Sequence, residues 1–328
     1  MIICLGTTPT VQRTMTFTKV ALDEVNRATS VHEYASGKSA NVARVLHTLG
    51  HDVLAMGFLG GDSGKFYRSD LDRAGIPHDF VTVAPSTRLC TTVIDESTGT
   101  ATELVEESKP LEARDFETLL EKLAAQLKNV DLLVLSGTLA PGANPDFYAR
   151  CMKLARRDVR VILDAVGDPL LSALPLRPFV IKPNQSEVGR TLDADVDSED
   201  ALRGAMRELV SRGAKWVVVT RGRAGTLVTD GSSFWQVNTP KVKVISPIGS
   251  GDSFAAGLAS ALLKGDDVPQ GCILAAACGS ANAMTPLAGH VRREDLESLV
   301  KQIRLAPLVP SPGTPAFGSE AQARRGEG

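Results

Sequence analysis

From about residue 112 onward the chain repeats one pattern, a short unbroken Val/Ile/Leu run alternating with a longer amphipathic stretch. "FETLLEKLAAQL" is followed by "DLLVLSG", and "PDFYARCMKLARR" by "VRVILDA". "FVIKPN" is followed by "SEDALRGAMRELVSRG", and that by "KWVVVTRG". A strand that is apolar on both faces must be covered on both, and helices between successive strands supply the cover. This is the pattern of parallel βα units, so the predicted fold class is α/β with a mostly parallel central sheet flanked by helices.

The N-terminal third follows the rhythm only in part. "MIICLG" reads as a buried strand, "NVARVLHTLG" (41–50) as a helix stopped by Gly50, "VLAMGFLGG" as a strand and "GKFYRSDLDRAG" as a helix. Two β-rich stretches, near 10–36 and 80–107, do not fit. The second contains a hairpin, "LCTTVID" and "TELVEES" around "ESTG". We expect them to form a small separate sheet placed as a lid, the alternative being an edge extension of the main sheet. With 328 residues the chain exceeds one simple core, which fits one large domain, 1–306, carrying this elaboration. Residues 307–328 are rich in Pro, Gly and Ser and are expected to be a disordered tail.

Bulk chemistry removes several function classes. There are 36 basic and 38 acidic residues, a net charge of −2, so no positive excess exists to engage nucleic acid or an anionic membrane surface. No apolar run approaches the roughly 20 residues a bilayer span requires, and "MIICLGTTPT" lacks the features of a signal peptide. The five cysteines, Cys4, Cys90, Cys151, Cys272 and Cys278, are scattered without a CxxC pair. Free thiols suit a reducing, cytoplasmic setting.

In open α/β sheets ligands collect beyond the carboxyl ends of the strands. The polar residues predicted there are Gly37, Lys38 and Asn41; Ser136 and Gly137; Asp164; Lys182, Asn184 and Glu187; Thr220 and Gly222; Gly249, Gly251 and Asp252. "HEYASGKS" is not a phosphate-binding P-loop, because His32 occupies the leading glycine position. "GSGDSF" lacks the third glycine of a dinucleotide fingerprint. In "GSGDSFAAG" (249–257) the glycines let successive N–H groups approach an anion, and the helix that follows adds its positive end. Asp252 is then either a first-turn acid that favours the helix or a general base that takes the proton of a hydroxyl attacking a phosphoryl group. In "IKPNQSEVG", Asn184 and Glu187 lie one turn apart. They suit a hydrated Mg²⁺ or a capping box, and the two are compatible. "TRGRAGTLV" is a glycine turn that either borders a nucleotide phosphate or closes a hairpin. Arg27, Lys38 and Arg88 lie in or beside the lid, where together they could clamp a phosphate.

The motifs in this order resemble the PfkB-type, ribokinase-like carbohydrate kinases. "SGKSANVARVLHTLGHDVLAMGFLGG" is similar to the family's N-terminal glycine motif and "SPIGSGDSFAAG" to its C-terminal one. "EVNRA", "TRLC", "SGTLAPG" and "FVIKPNQSE" resemble the 1-phosphofructokinase and tagatose-6-phosphate kinase branch. The resemblance spans residues 1 to about 305. It implies ATP and Mg²⁺ as cofactors, with Asp252 as base and Gly249 and Gly251 as an anion hole. It implies Asn184 and Glu187 near Mg²⁺ through water. Lys182, Thr220, Gly222, Gly225 and Ser250 would lie on the nucleotide side, and Asn282 near the adenine. Lys38, Arg88 and Ser136 would hold a substrate phosphate, with Gly37, Asn41 and Gln12 about the sugar. Arg27 would reach across a homodimer formed through the lid.

Two departures affect the sugar pocket. Gln12 replaces the branch's usual Asp, and Ser36 stands where glycine is usual. In addition, Arg221 replaces an apolar residue and could add a cation at the nucleotide site. The expected activity is ATP-dependent phosphorylation of a ketohexose phosphate, of fructose 1-phosphate or tagatose 6-phosphate type. The alternatives are a kinase for an unphosphorylated sugar or nucleoside, and a non-catalytic nucleotide or sugar-phosphate binding protein.

Overall fold

The computed structural model describes residues 1–308. A parallel set of seven strands forms the spine: β1 (Ile2–Leu5), β4 (Val53–Leu59), β5 (His78–Thr82), β8 (Leu132–Ser136), β9 (Arg160–Asp164), β10 (Val180–Ile181) and β11 (Trp216–Thr220). Antiparallel strands β12 (Thr226–Thr229), β13 (Phe234–Asn238) and β14 (Arg304–Leu308) extend one edge. The full order is β14-β13-β12-β11-β10-β9-β8-β1-β4-β5. β1 lies third from the β5 edge, and the chain leaves it in one direction toward β4 and later returns to its other side at β8. That reversal beside β1 is where an open α/β sheet binds ligands.

The unbroken apolar runs are buried on both faces, as the sequence required. Ile2 and Cys4 point into one core, Ile3 and Leu5 into the other, all four fully buried. The first face is covered by α1 (Lys38–Thr48), α2 (Gly61–Arg73), α8 (Ser250–Leu263), α9 (Val268–Ala283) and α10 (Arg293–Gln302). The second is covered by α3 (Ala113–Gln126), α4 (Phe147–Leu154), α5 (Asp168–Ala173), α6 (Gln185–Leu192) and α7 (Glu199–Ser211). Gly50 ends α1 with φ 88°, in the left-handed region, and its N–H bonds His47 O at 2.9 Å.

The elaboration is a separate four-stranded sheet of β3 (Ser30–Ser36), β2 (Thr10–Phe17), β6 (Arg88–Asp95) and β7 (Thr100–Val105), in that order. The edge-extension alternative is therefore ruled out. One boundary is corrected: His78–Thr82 pairs in parallel with β4 in the main sheet, so the second lid stretch begins at Arg88 and not near 80. Phe80 and Val81 join the cores of the main sheet. At the C-terminus β14 pairs with β13 through Leu308, two residues into the predicted tail. The remainder of that tail, 309–328, lies outside the described residues.

Candidate active site

The glycine loop before α8 is built for close approach. Gly249, the N-cap, has φ 80°, and a Cβ there would stand 2.8 Å from Ala288 Cα. The N–H groups of Gly249, Gly251 and Asp252 have no backbone acceptor among the described residues, as expected at a helix start. The Cα face of Gly251 is open, with only Lys182 Nζ near, 3.7 Å from where a Cβ would lie. Free amides, a helix N-terminus and an ammonium thus converge on one small space.

Asp252, in the first turn of α8, is buried, and its Oδ2 accepts from Asn41 Nδ2 at 2.7 Å. Asn41 Oδ1 in turn accepts from Ser36 Oγ at 2.9 Å. Burial pushes the Asp252 carboxyl up to about 6, against the pull of Lys38 and of the Asn41 hydrogen bond. A carboxylate near 6 is ionised at neutral pH yet more basic than an exposed aspartate, which suits a general base.

Asp164 closes the lower side. It ends β9, its side chain is 2% exposed, and it takes Lys38 Nζ on Oδ1 and Lys182 Nζ on Oδ2, each at 3.1 Å. Burial opposes its charge, but Lys182 and Lys38 outweigh it and hold the carboxyl below its ordinary value. Burial likewise disfavours the Lys38 ammonium, and Asp164, Asp252 and Glu187 together reverse this and raise it. Lys38 therefore stays charged. Sequence reasoning noted Asp164 at a strand end but gave it no role. Its partners come from the start of α1 and the end of β10, and no spacing rule links those positions.

Asn184 and Glu187 form the capping box. Asn184 Oδ1 accepts from Glu187 N at 2.9 Å and from Ser186 Oγ at 2.8 Å, while Glu187 Oε2 accepts from Asn184 N at 2.8 Å. Two donors saturate Asn184 Oδ1, so this oxygen is not available to a metal. Glu187 Oε1 stands 3.8 Å from Lys38 Nζ, free of any closer partner among the described residues. A carboxylate oxygen in that position fits a hydrated Mg²⁺, which keeps most of its waters.

Thr220 ends β11 and bridges to Asn184, which brings the 220–225 turn beside the capping box. Gly222 and Gly225 have φ 53° and 82°, and Arg221 N donates to Gly225 O at 2.8 Å. The Arg221 guanidinium is held by Glu199 and Gln236 and braces this turn. Asn282 is fully buried. It donates to Ile248 O (2.8 Å) and Ser250 Oγ (3.3 Å) and accepts from Gly289 N (2.8 Å) and Ser253 Oγ (3.1 Å). All its hydrogen-bonding capacity is used inside the protein, so it holds the anion loop and presents nothing to an adenine.

On the lid side, Gln12 is buried and its Nε2 donates to Thr92 Oγ1 at 2.8 Å. Gly37 caps α1 at φ 99°, with no room for a Cβ against Pro9. Ser136 is buried at the end of β8, its Oγ without a partner among the described residues, beside Asp164 in register. Arg88 donates to Thr8 O and Glu106 O and lines a cleft with Ser86, Thr87 and Lys109. Its buried Nε has no partner among the described residues. Arg27 is exposed on the loop between β2 and β3 and makes no side-chain hydrogen bond among the described residues. The predicted Arg27–Lys38–Arg88 clamp is thus not assembled within one chain, since Lys38 turns to Asp164 and Arg88 to the lid backbone.

Free amides, a poised carboxylate and paired lysines at the ends of parallel strands are the equipment of a phosphotransferase with an alcohol acceptor. Residues 1–293 match the model of the pfkB family carbohydrate kinases, and the chain belongs to that family. It is similar to phosphofructokinase-2 from Escherichia coli, with 27% identity over 92% of this chain and 98% of that one and a TM-score of 0.84. A possible 1-phosphofructokinase from Thermotoga maritima shares the fold at TM-score 0.86, 22% identity and coverage of 94% and 100%. A ribokinase from Arabidopsis thaliana does so at 0.71, 20% identity and coverage of 92% and 98%. ATP as phosphoryl donor follows from the family. No described helix is long and apolar enough to cross a membrane.

Proposed function

We propose that this protein is an ATP- and Mg²⁺-dependent sugar-phosphate kinase acting on a ketohexose phosphate of fructose 1-phosphate or tagatose 6-phosphate type. The observation that carries the reading is Asp252, hydrogen-bonded to Asn41 at 2.7 Å, at the mouth of the free amides of α8. The Escherichia coli relative has been solved with fructose 6-phosphate, which supports a phosphorylated sugar as acceptor.

In this mechanism the acceptor hydroxyl lies against Asp252. Its oxygen attacks the γ-phosphorus, the bond to the bridging oxygen of ADP breaks, and the hydroxyl proton passes to the Asp252 carboxylate. The amides of Gly249, Gly251 and Asp252 and the Lys182 ammonium take up the charge on the transferring group. Glu187 Oε1 would hold a hydrated Mg²⁺ through one of its waters, and the ion would supply positive charge to the nucleotide phosphates. On this reading Lys38, Arg88 and Ser136 would meet the acceptor's own phosphate, with Lys38 and Arg88 turning from their present partners, Asp164 and the backbone carbonyls of Thr8 and Glu106. Gln12 in place of a carboxylate trades a charged partner for the sugar hydroxyls for a neutral one.

We also propose a homodimer through the lid. Leu22, Val25, Val31, Leu104 and Val105 are exposed there, on two edge strands and the loop that carries Arg27. A second copy would cover them.

The test is ATP consumption with Mg²⁺ across sugars, sugar phosphates and nucleosides. Turnover confined to a ketohexose phosphate is expected. Turnover on an unphosphorylated sugar or nucleoside alone would overturn the acceptor class. ATP binding without any turnover would replace catalysis by a binding role.

A further inference from the structure

We propose that Tyr34 is a positioning residue that couples the lid to the anion loop, so that phosphoryl transfer depends on the acceptor being in place. The proposal rests on the kinase reading above. Tyr34 belongs to β3 of the lid, yet its side chain is 6% exposed and leaves the lid for the main domain. Its hydroxyl oxygen accepts from Ala288 N at 2.9 Å. The hydroxyl hydrogen is then free for Thr14 Oγ1 on β2, at 3.3 Å. The ring meets His290 edge to face, centroids 5.5 Å apart, and His290 Nδ1 lies 3.0 Å from Ala288 O. A carbonyl only accepts, so Nδ1 carries the hydrogen in that contact.

The segment gripped in this way touches both the anion loop and the partner of Asp252. Ala288 and Gly289 form the wall against which Gly249 is packed. Gly289 N donates to Asn282, which holds Ile248 O and Ser250 Oγ of the anion loop. The Cα of Gly289 lies so near Asn41 that a Cβ would stand 2.7 Å from Asn41 Cα, and Asn41 is the partner of Asp252. A displacement of β3 therefore reaches both the amides and the base through contacts with no slack, which is the requirement for a shift to be transmitted and not absorbed. Gln12 on β2 is the lid residue proposed to meet the sugar, and β2 and β3 pair directly, with Gln12 opposite Tyr34. An acceptor that settles the lid would thereby settle Tyr34 and the loop behind it.

The experiment compares wild type with Tyr34→Phe, which deletes the acceptor for Ala288 N and keeps the ring. Two rates are read with ATP and Mg²⁺: transfer to fructose 6-phosphate or whichever sugar phosphate turns over, and ATP hydrolysis with no sugar present. We expect kcat for transfer to fall about tenfold, the order expected for one lost positioning hydrogen bond, with the KM for ATP within about twofold. The ratio of hydrolysis to transfer should rise, since water needs no settled lid. A residue that only stabilised the fold would lower the melting temperature and leave that ratio unchanged. A wild-type kcat and ratio in the variant would overturn the proposal.

Hydrogen exchange at the Ala288 amide in the wild type supplies an arm independent of the variant's folding. Protection should increase when the sugar phosphate and a non-hydrolysable ATP analogue are both present. Unchanged protection would overturn the coupling. A wild type that binds ATP but transfers to no acceptor would overturn the kinase reading itself, which is a separate outcome.

Discussion

Asn41 donates to Asp252 at 2.7 Å with an amide whose orientation is fixed from behind, because Ser36 Oγ supplies a proton to its Oδ1. A carboxamide has one accepting and one donating end. With Ser36 on the accepting end, the donating end must face the carboxylate. Ser36→Gly removes that constraint and part of the support for the Asp252 charge. The acid limb of the kcat/KM profile should then move to higher pH, by up to about one pH unit, the scale of a single hydrogen bond. A pH series on the two proteins measures it.

Asp252 itself should set that acid limb. Its carboxyl is pushed up to about 6 by burial, so activity should rise through about pH 6 as the base is freed of its proton. Asp252→Asn should lose turnover by about 10² to 10⁴-fold while ATP binding is retained, as titration calorimetry can show. The same shift has a stability consequence of opposite sign. The folded pKa lies above the unfolded value of 3.8, so the stability this group lends at low pH is lost as pH rises toward 6. Above pH 6, Asp252→Asn should be more stable than wild type, by roughly 1–3 kcal/mol in urea unfolding.

Lys182 and Asp164 form the buried half of the cation cluster. Lys182→Met leaves Asp164 with Lys38 alone and should cost roughly 3–5 kcal/mol, the range for breaking a buried pair. Asp164 is held below its ordinary value, so its contribution is present at neutral pH and lost as pH falls through its folded pKa. In the variant, acid unfolding should begin at higher pH. Adding Asp164→Asn should recover part of the loss, a coupling read in a double-mutant cycle.

Gly249 cannot carry a side chain. With φ 80° and a Cβ 2.8 Å from Ala288, Gly249→Ala combines left-handed strain with a clash against backbone. It should lower stability by at least about 2 kcal/mol and abolish transfer. Thermal unfolding and the ATP assay together check this.

The lid faces should hold two copies together. Leu104→Lys replaces an exposed apolar side chain on the edge strand β7 with a charge. Sedimentation velocity should show a dimer in wild type and a monomer in the variant. Equal sedimentation of both would remove the lid from the interface.

Much of the architecture was legible because burial on both faces writes itself into composition. Leu132, Leu133, Val134 and Leu135 are consecutive, all apolar and all fully buried. The Asn184–Glu187 box and the Gly50 stop were equally readable, since their partners lie within one turn. The second lid stretch was set to begin near 80, too early, because a strand carries no mark of which sheet it will join. The part Asn282 plays in holding the anion loop was not legible, because its four hydrogen-bond partners are invisible to local pattern.

The sequence by itself determined the α/β class, the glycine loop and the positions where acids and lysines leave the strands, because periodicity and turn chemistry act over a few residues. Only the tertiary structure decided that Lys38 and Lys182 share Asp164, that Ser36 orients Asn41, and that Tyr34 reaches Ala288 across 254 positions. The reason is that charge pairing and burial depend on distance in space. Asp252 acquires its raised pKa only when the fold buries it, with α1 brought against α8 so that Asn41 meets its carboxylate.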